Sequence, residues 1–211
     1  MPHPNQKIIP FTTKRGALIL RSFCQPSEIA GMSFCDDFKA YAQYNPIISH
    51  KESLIEAASQ PDANVTLAHT QDSLIIGLSL LVYPDPDERW LRVGPEIMME
   101  LAAIQVSKSW RTGGLAKKLL SLAVDHPLEK KRIFYMVGYS WTWDLDDKKK
   151  SATDYRNVLI RLFTGEGFAI FQTNEPNIML RPENLFMARI GDCVSEETRK
   201  QFKMVRFNLD I

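Results

Sequence analysis

The stretch Ile97-Met98-Met99-Glu100-Leu101-Ala102-Ala103-Ile104-Gln105-Val106 runs straight into Ser107-Lys108-Ser109-Trp110-Arg111-Thr112-Gly113-Gly114-Leu115-Ala116. Its first half is apolar on both parities, the pattern of a strand buried on both faces. Its second half holds two adjacent glycines. Beyond them Leu115, Leu119, Leu122 and Ala123 line one side of a helix, Lys117, Lys118 and Ser121 line another, and Pro127 stops it. A strand, a glycine turn and a helix in that order leave free N–H groups at the helix start, where the dipole favours anions. Glycine also lets a ligand approach the backbone closely. By itself this stretch reads either as a cradle for phosphate oxygens or as an ordinary strand-to-helix turn. Neither G-x-x-x-x-G-K-[ST] nor G-x-G-x-x-G is present in it.

Upstream, residues 1–15 contain Pro2, Pro4 and Pro10 without a sustained period, which predicts an extended N-terminal arm before a single domain over 16–211. Residues 16–23 read as a first strand. Pro26-Ser27 opens a helical stretch, with Ser27 as N-cap and Ile29, Met32, Phe34 and Phe38 near helical spacing. A second helix is expected over 51–59, with Ser49 as its cap. Strands follow over 65–69 and 73–83, joined at Gln71-Asp72. Downstream, strands are expected over 133–137, 168–172 and 185–190, and helices over 154–163 and from Ser195 onward. The sum is a mixed α+β domain.

The chain has 211 residues, 45% of them apolar, enough to bury a core without disulfides or metals. Lys and Arg number 26 against 25 Asp and Glu, a formal charge of +1. That balance argues against bulk attraction to nucleic acid or to an anionic membrane, and leaves local patches open. The longest nearly unbroken apolar stretch, 74–83, contains Gly77 and Ser79. It is shorter than the roughly 18 apolar residues a membrane span takes. Residues 1–7 lack a signal-peptide pattern. Cys24, Cys35 and Cys193 form no C-x-x-C pair, and His3, His50, His69 and His126 show no metal-ligand spacing. The expectation is a reduced, cytoplasmic protein without a structural metal, its cysteines buried as small apolar groups.

Arg111-x-x-Gly114-x-Ala116, following Val106 and followed by Leu119-Leu120, resembles the R-x-x-G-x-G/A signature of the Gcn5-related N-acetyltransferases (GNAT). The resemblance implies their acyl-CoA N-acyltransferase fold: α+β, with a central mixed, mostly antiparallel sheet flanked by helices. It implies acetyl-CoA as acetyl donor, its pyrophosphate held by backbone amides. The corresponding cofactor-binding set is Ile104, Val106, Arg111, Thr112, Gly113, Gly114, Leu115, Ala116 and Lys117, with no metal. Further segments look like one bacterial branch of that superfamily, the acetoin-utilisation acetyltransferases. They are Tyr83-Pro84-Asp85-Pro86-x-Glu88-Arg89-Trp90, Glu100-Leu101-x-Ala103-Ile104, Trp141-x-Trp143-Asp144-Leu145, Met187-Ala188-Arg189-Ile190-Gly191, Val194-Ser195-x-Glu197 and Arg206-Phe207. This likeness, over 16–207, implies acetylation of a protein lysine, with AMP-forming acetyl-CoA synthetase as the partner that is inactivated. Lys108 stands where many members have proline, and Thr112-Gly113 replaces a glycine-first loop. Neither change removes backbone amides.

Glu100 is the only ionisable side chain in the run 97–106. An ionised carboxylate there costs several kcal/mol unless paired or hydrated. Acyl transfer to lysine needs a base, because only the neutral amine attacks and the ammonium has a pKa of about 10.4. A half-buried glutamate with a raised pKa suits that task, and Glu100 matches in position the glutamate base of the Gcn5-type enzymes. The competing reading pairs Glu100 with Arg89 or Arg92 for structure. A general acid is harder to place. Many members carry a tyrosine four residues before the glycine after the late helix, and counting back from Gly167 gives Phe163. Tyr155 and Tyr139 are the substitutes, with packing as the alternative for both.

The loop 140–150 carries Trp141, Trp143, Asp144, Asp146, Asp147 and Lys148-Lys149-Lys150. It reads as a solvated loop anchored by tryptophans or, with Asp85, Asp87 and Glu88, as a docking surface for a cationic lysine segment. Two further functions share these features: transfer to a small-molecule amine, and acetyl-CoA sensing without turnover.

Overall fold

The computed structural model describes residues 2–41, 50–111, 113–145 and 151–209. The chain folds into two compact units: Met1–Val82 with Leu101–Pro127, and Tyr83–Glu100 with Leu128–Ile211. Both carry parts of a mixed, mostly antiparallel sheet flanked by helices.

In the first unit, β1 (Ile8–Thr13) and β2 (Gly16–Arg21) form an antiparallel hairpin. Part of the segment expected as an arm is therefore a paired strand, because the alternation across Ile9 and Phe11 sets apolar groups against the buried Leu18 and Leu20. Antiparallel pairing continues through β4 (Asn64–His69) to β5 (Leu74–Val82), and the order runs on into β6 (Met98–Val106). The adjacent Met98 and Met99 are both buried, so β6 is covered on both faces as its sequence predicts.

The helix expected from Ser27 differs. Helix α1 is only Pro26–Ala30, capped by Gln25 with Pro26 in its first turn, and Glu28 closes a capping box. Glu28 also accepts from Gln6 and pairs with Arg21. After Gly31 the chain turns into β3 (Ser33–Phe34), parallel to β5, and then a 3₁₀ turn, Asp36–Tyr41. The apolar spacing of Ile29, Met32, Phe34 and Phe38 is real, since all join one core, but it is assembled from three elements rather than one helix. Helix α2 (Lys51–Ala58) has His50 at its N-cap; Ser49 lies outside the described residues.

Helix α3 (Leu115–Val124) packs on β4 and β5. Gly77 makes this contact close: a Cβ there would stand 2.9 Å from Leu119 Cδ1. Two buried polar side chains of the sheet hold the helix. Ser79 Oγ donates to Leu119 O at 3.0 Å, and Asn64 Nδ2 donates to Leu122 O and Ala123 O, both at 3.0 Å. Asn64 Oδ1 in turn accepts from Phe23 N at 2.8 Å and Thr66 Oγ1 at 3.0 Å. The amide thus satisfies otherwise open carbonyls at the helix C-terminus and an adjacent backbone N–H.

In the second unit, β7 (Ile133–Gly138) lies parallel to β6, with Met98↔Ile133, Met99↔Phe134 and Glu100↔Tyr135 in register. Strand β9 (Leu185–Ile190) pairs antiparallel with β7. Strand β8 is only Ala169–Ile170, shorter than the stretch 168–172 expected; Phe168 is instead buried edge-on against Phe163. Helix α4 (Ala152–Thr164) starts at the capping box of Ser151 and Asp154. The short α5 (Pro176–Met179) and α6 (Glu196–Arg206, capped by Ser195) complete the unit. Its core gathers Trp90, Tyr135, Phe186 and Phe202.

Among the described residues, no helix is long and apolar enough to cross a membrane, and no cluster of His, Cys, Asp and Glu could hold a metal ion. Cys24 is buried, and burial pushes its thiol pKa up; Cys193, expected inside, is exposed because it lies in the turn after β9.

Replacing Asn64 by Ala strands the Phe23 N–H and two helix carbonyls in a dry interior. Chemical denaturation of Asn64→Ala should show a loss of about 3 kcal/mol in unfolding free energy. A loss below about 0.5 kcal/mol would contradict this role.

Candidate functional site

Two groups of residues are candidates for the chemistry, one in each unit. In the first unit, β6 ends at Val106 and Ser107 N donates to Ile76 O at 2.8 Å. A 3₁₀ turn, Lys108–Trp110, follows, and Arg111 Nε folds back to donate to Val106 O at 3.1 Å. Gly113 (φ +76°) and Gly114 (φ +78°) are both left-handed, a conformation that side chains rarely adopt. A Cβ at either would meet nothing within 4 Å, so the glycines are demanded by backbone shape and open onto free space. Gly114 is the N-cap of α3 and accepts from Lys118 N at 3.1 Å. The first-turn N–H groups of such a helix have no intrahelical acceptor. They lie beside exposed glycines, with no acidic side chain in the turn. Backbone arranged in this way suits an anion, which makes the turn a candidate anion cradle.

Most of the predicted cofactor set falls at this turn. Leu115 is buried and anchors the helix start, and Ile104 and Ala116 are half-buried. Gly113, Gly114 and Lys117 are exposed. Val106 and Leu115 share one core cluster, with Trp110 and Ala116 packed against it. Thr112 lies outside the described residues.

Sequence reading missed Asp37. Its carboxylate accepts from Ser107 Oγ, from Ser109 N at 3.1 Å and from Ser109 Oγ at 3.0 Å. These bonds, the Ser107 hydroxyl foremost and the Arg111 charge last, hold its pKa below the usual carboxylate value. Asp37 therefore ties down the turn that leads into the cradle. It lies 70 and 72 positions before its partners, and no local pattern marks it.

In the second unit, Glu100 is half-buried at the end of its pairing with β7. Loss of hydration raises its pKa to about 7, and the charges of Glu88 and Asp85 add to the rise. The nearby Tyr135 hydroxyl tempers it. Neither arginine considered as a structural partner for Glu100 is paired with it: Arg89 donates to Asn174 Oδ1 at 2.8 Å and Arg92 to Asn208 Oδ1. Glu88, although exposed at the surface, is itself raised, by partial loss of hydration first and then by the charges of Glu175 and Asp85. Tyr139 is pushed up to about 12, chiefly by burial and then by Glu175, Glu88 and Glu100. The cluster is acidic, partly desolvated, and holds one carboxyl that titrates near neutrality.

Of the two tyrosines considered as acids, Tyr155 stacks on Trp143 with ring centroids 5.2 Å apart, and Tyr139 stacks on Trp141 at 4.9 Å. Tyr139 belongs electrostatically to the Glu100 cluster. Asp85, Asp87 and Glu88 are exposed, as is Trp141, over which Arg181 sits at 5.7 Å. Asp146, Asp147 and Lys148-Lys149-Lys150 lie outside the described residues.

The chain is 33% identical over 196 residues to the acetoin utilization protein AcuA of Bacillus licheniformis, covering 93% of this chain and 91% of that protein. It is likewise 33% identical over 195 residues to AcuA of Bacillus subtilis strain 168, covering 92% and 91%. A crystal structure of an acetoin utilization protein from Exiguobacterium sibiricum 255-15 matches with a TM-score of 0.85 at 27% identity, over 96% of this chain and 95% of that one. No family model matches the sequence.

Asp37→Asn tests the anchor of the turn. A carboxylate with a depressed folded-state pKa contributes stability above its unfolded value of 3.8 and loses it as pH falls through the lower folded value. The variant should be less stable than wild type at pH 7 by roughly 1–3 kcal/mol. That gap should close on acidification below the unfolded value. A gap independent of pH in thermal melts would count against the charge-based role.

Proposed function

The chain belongs to the family of the acetoin utilization protein AcuA, and from that premise we propose that it transfers the acetyl group of acetyl-CoA to a lysine side chain of a protein. Glu100 is the general base. The observation that carries this reading is the placement of Glu100: a half-buried carboxyl paired with neither Arg89 nor Arg92, brought by burial and neighbouring acids to a pKa of about 7.

The reaction is direct. Glu100, ionised, takes a proton from the acceptor ammonium, directly or through water. The neutral amine then attacks the thioester carbonyl, the C–N bond forms, the attacking nitrogen gives its remaining extra proton to solvent, and the C–S bond breaks to release CoA as thiolate. The thiolate takes up a proton, from Tyr139, Tyr155 or solvent. No covalent enzyme intermediate is needed. The pyrophosphate of acetyl-CoA is held by amides of 113–117, with Arg111 and Lys117 supplying positive charge and Ile104, Val106, Leu115 and Ala116 the apolar wall. The left-handed glycines support this assignment, since their Cβ positions are open to an incoming group. The acidic residues Asp85, Asp87 and Glu88 suit a cationic acceptor segment. The partner that best fits the family premise is AMP-forming acetyl-CoA synthetase, in the cytoplasm.

The deciding experiment incubates catalytic amounts of the protein with acetyl-CoA and an AMP-forming acetyl-CoA synthetase and reads acetyl-lysine by mass spectrometry. Acetyl-lysine with matching thiol release supports the reading. Thiol release only with small amines would move the acceptor to that class. No thiol release with any acceptor tried would leave acetyl-CoA sensing without turnover.

For the base, Glu100→Gln should lower kcat about 10²- to 10⁴-fold while acetyl-CoA binding is kept. Wild-type kcat should rise with pH through about 7, because the base is active only when deprotonated. A Gln variant with unchanged kcat/KM near neutral pH would remove Glu100 from the role. For docking, Asp87→Lys should raise KM for the protein substrate severalfold and leave the Kd for acetyl-CoA unaltered; an equal loss in both would argue against a docking role.

A further inference from the structure

Tyr135 is fully buried, and among the described residues its hydroxyl makes no hydrogen bond of ordinary geometry, the Glu100 carboxyl being the acceptor close enough to feel it. A buried hydroxyl in that condition loses its hydration without compensation. Packing explains the ring, which is held at 5.5 Å from Trp90 and 5.7 Å from Phe186 between centroids. It does not explain the oxygen, since phenylalanine would fill the same space. Beside that oxygen is Glu100. The two residues are in-register partners of parallel strands, so their side chains share a face of the sheet. The hydroxyl also acts directly on the Glu100 carboxyl.

We propose that Tyr135 is the positioning residue of the base: its hydroxyl donates to the ionised Glu100 carboxylate and holds it oriented toward the acceptor amine. The proposal rests on the reading of Glu100 as general base. The aromatic neighbours fix the ring, so the donor is in place before the reaction and needs no reorganisation. Among the described residues, the other groups that act on Glu100 oppose its ionisation. Glu88 and Asp85 do so from the loop before the 3₁₀ turn Arg89–Val93, and burial does so throughout. Tyr139 and Glu175 belong to the same acidic cluster. Tyr135 is the neighbour that favours the charged carboxylate. An uncompensated hydroxyl in the resting protein thus becomes a compensated one in the state that accepts the proton.

The test measures kcat against pH for wild type, Tyr135→Phe and Glu100→Gln, with melting temperature and acetyl-CoA affinity alongside. Tyr135→Phe should fold, bind acetyl-CoA as wild type does, and melt at the same temperature or higher, because an unsatisfied polar atom is gone. The acidic limb of its kcat profile should move up by about one pH unit. Activity should therefore fall about tenfold at pH 6, with a loss that shrinks above pH 8. An unchanged limb, whether with full activity or with a uniform loss at every pH, overturns the proposal. If Glu100→Gln retains wild-type kcat, the base reading itself fails and takes this proposal with it. Should Tyr135→Phe fold poorly, 3-fluorotyrosine at position 135 is a stronger donor of nearly the same shape, and it should move the limb to lower pH. No movement there also overturns the proposal.

Discussion

Glu100 is a carboxyl group set into a strand that is otherwise apolar, and removing it from water raises its pKa more than any neighbouring charge does. That desolvation has two consequences. It turns an ordinary acid into a group that changes charge near neutrality, and it requires the surroundings to tolerate a charge when the group ionises. An arginine partner would satisfy the second demand and defeat the first, by holding the carboxyl ionised and engaged. Arg89 and Arg92 are instead occupied by Asn174 and Asn208. A neutral hydroxyl, that of Tyr135, stands beside Glu100.

The anion cradle solves the opposite electrostatic problem by other means. The glycine turn offers open backbone amides and a helix dipole, with half-buried Arg111 and exposed Lys117 nearby. Its rigidity comes from polar side chains elsewhere in the same unit. Asp37 holds the hydroxyls and one amide of Ser107 and Ser109, while Asn64 and Ser79 hold the carbonyls of α3. Fixing the turn at its entry and the helix along its body leaves the glycine backbone free to face a ligand. A near-zero net charge is compatible with this division, because amides add nothing to it and the acidic cluster is offset by basic residues elsewhere.

Long periodic elements were legible in the sequence. Strand β6 and helix α3 follow from apolar spacing, and the C-terminal helix begins where Ser195 is expected to open it. Glu100 and the glycine turn were legible for the same reason, since a carboxylate in an apolar run and paired glycines before a helix both break a local rule. The failures share a cause. Ile29, Met32, Phe34 and Phe38 have helical spacing, yet a short helix, a parallel strand and a 3₁₀ turn bring them to one core, with Gly31 ending the helix. Tyr135 reads as one more aromatic of a buried strand. No local pattern marks Asp37 or Asn64, and only distant partners give them a role.

The sequence alone determined the order of strand, glycine turn and helix, the apolar run that surrounds Glu100, and the family likeness carried by its motifs. These depend on neighbours along the chain, which local sterics and periodicity report directly. Tertiary structure alone decided which polar group each buried donor or acceptor meets. It set Tyr135 in register with Glu100, Asp37 against Ser107 and Ser109, and Asn64 under the end of α3. Hydrogen bonds are short-ranged in space and indifferent to separation along the chain, so their partners are settled only when the strands have paired.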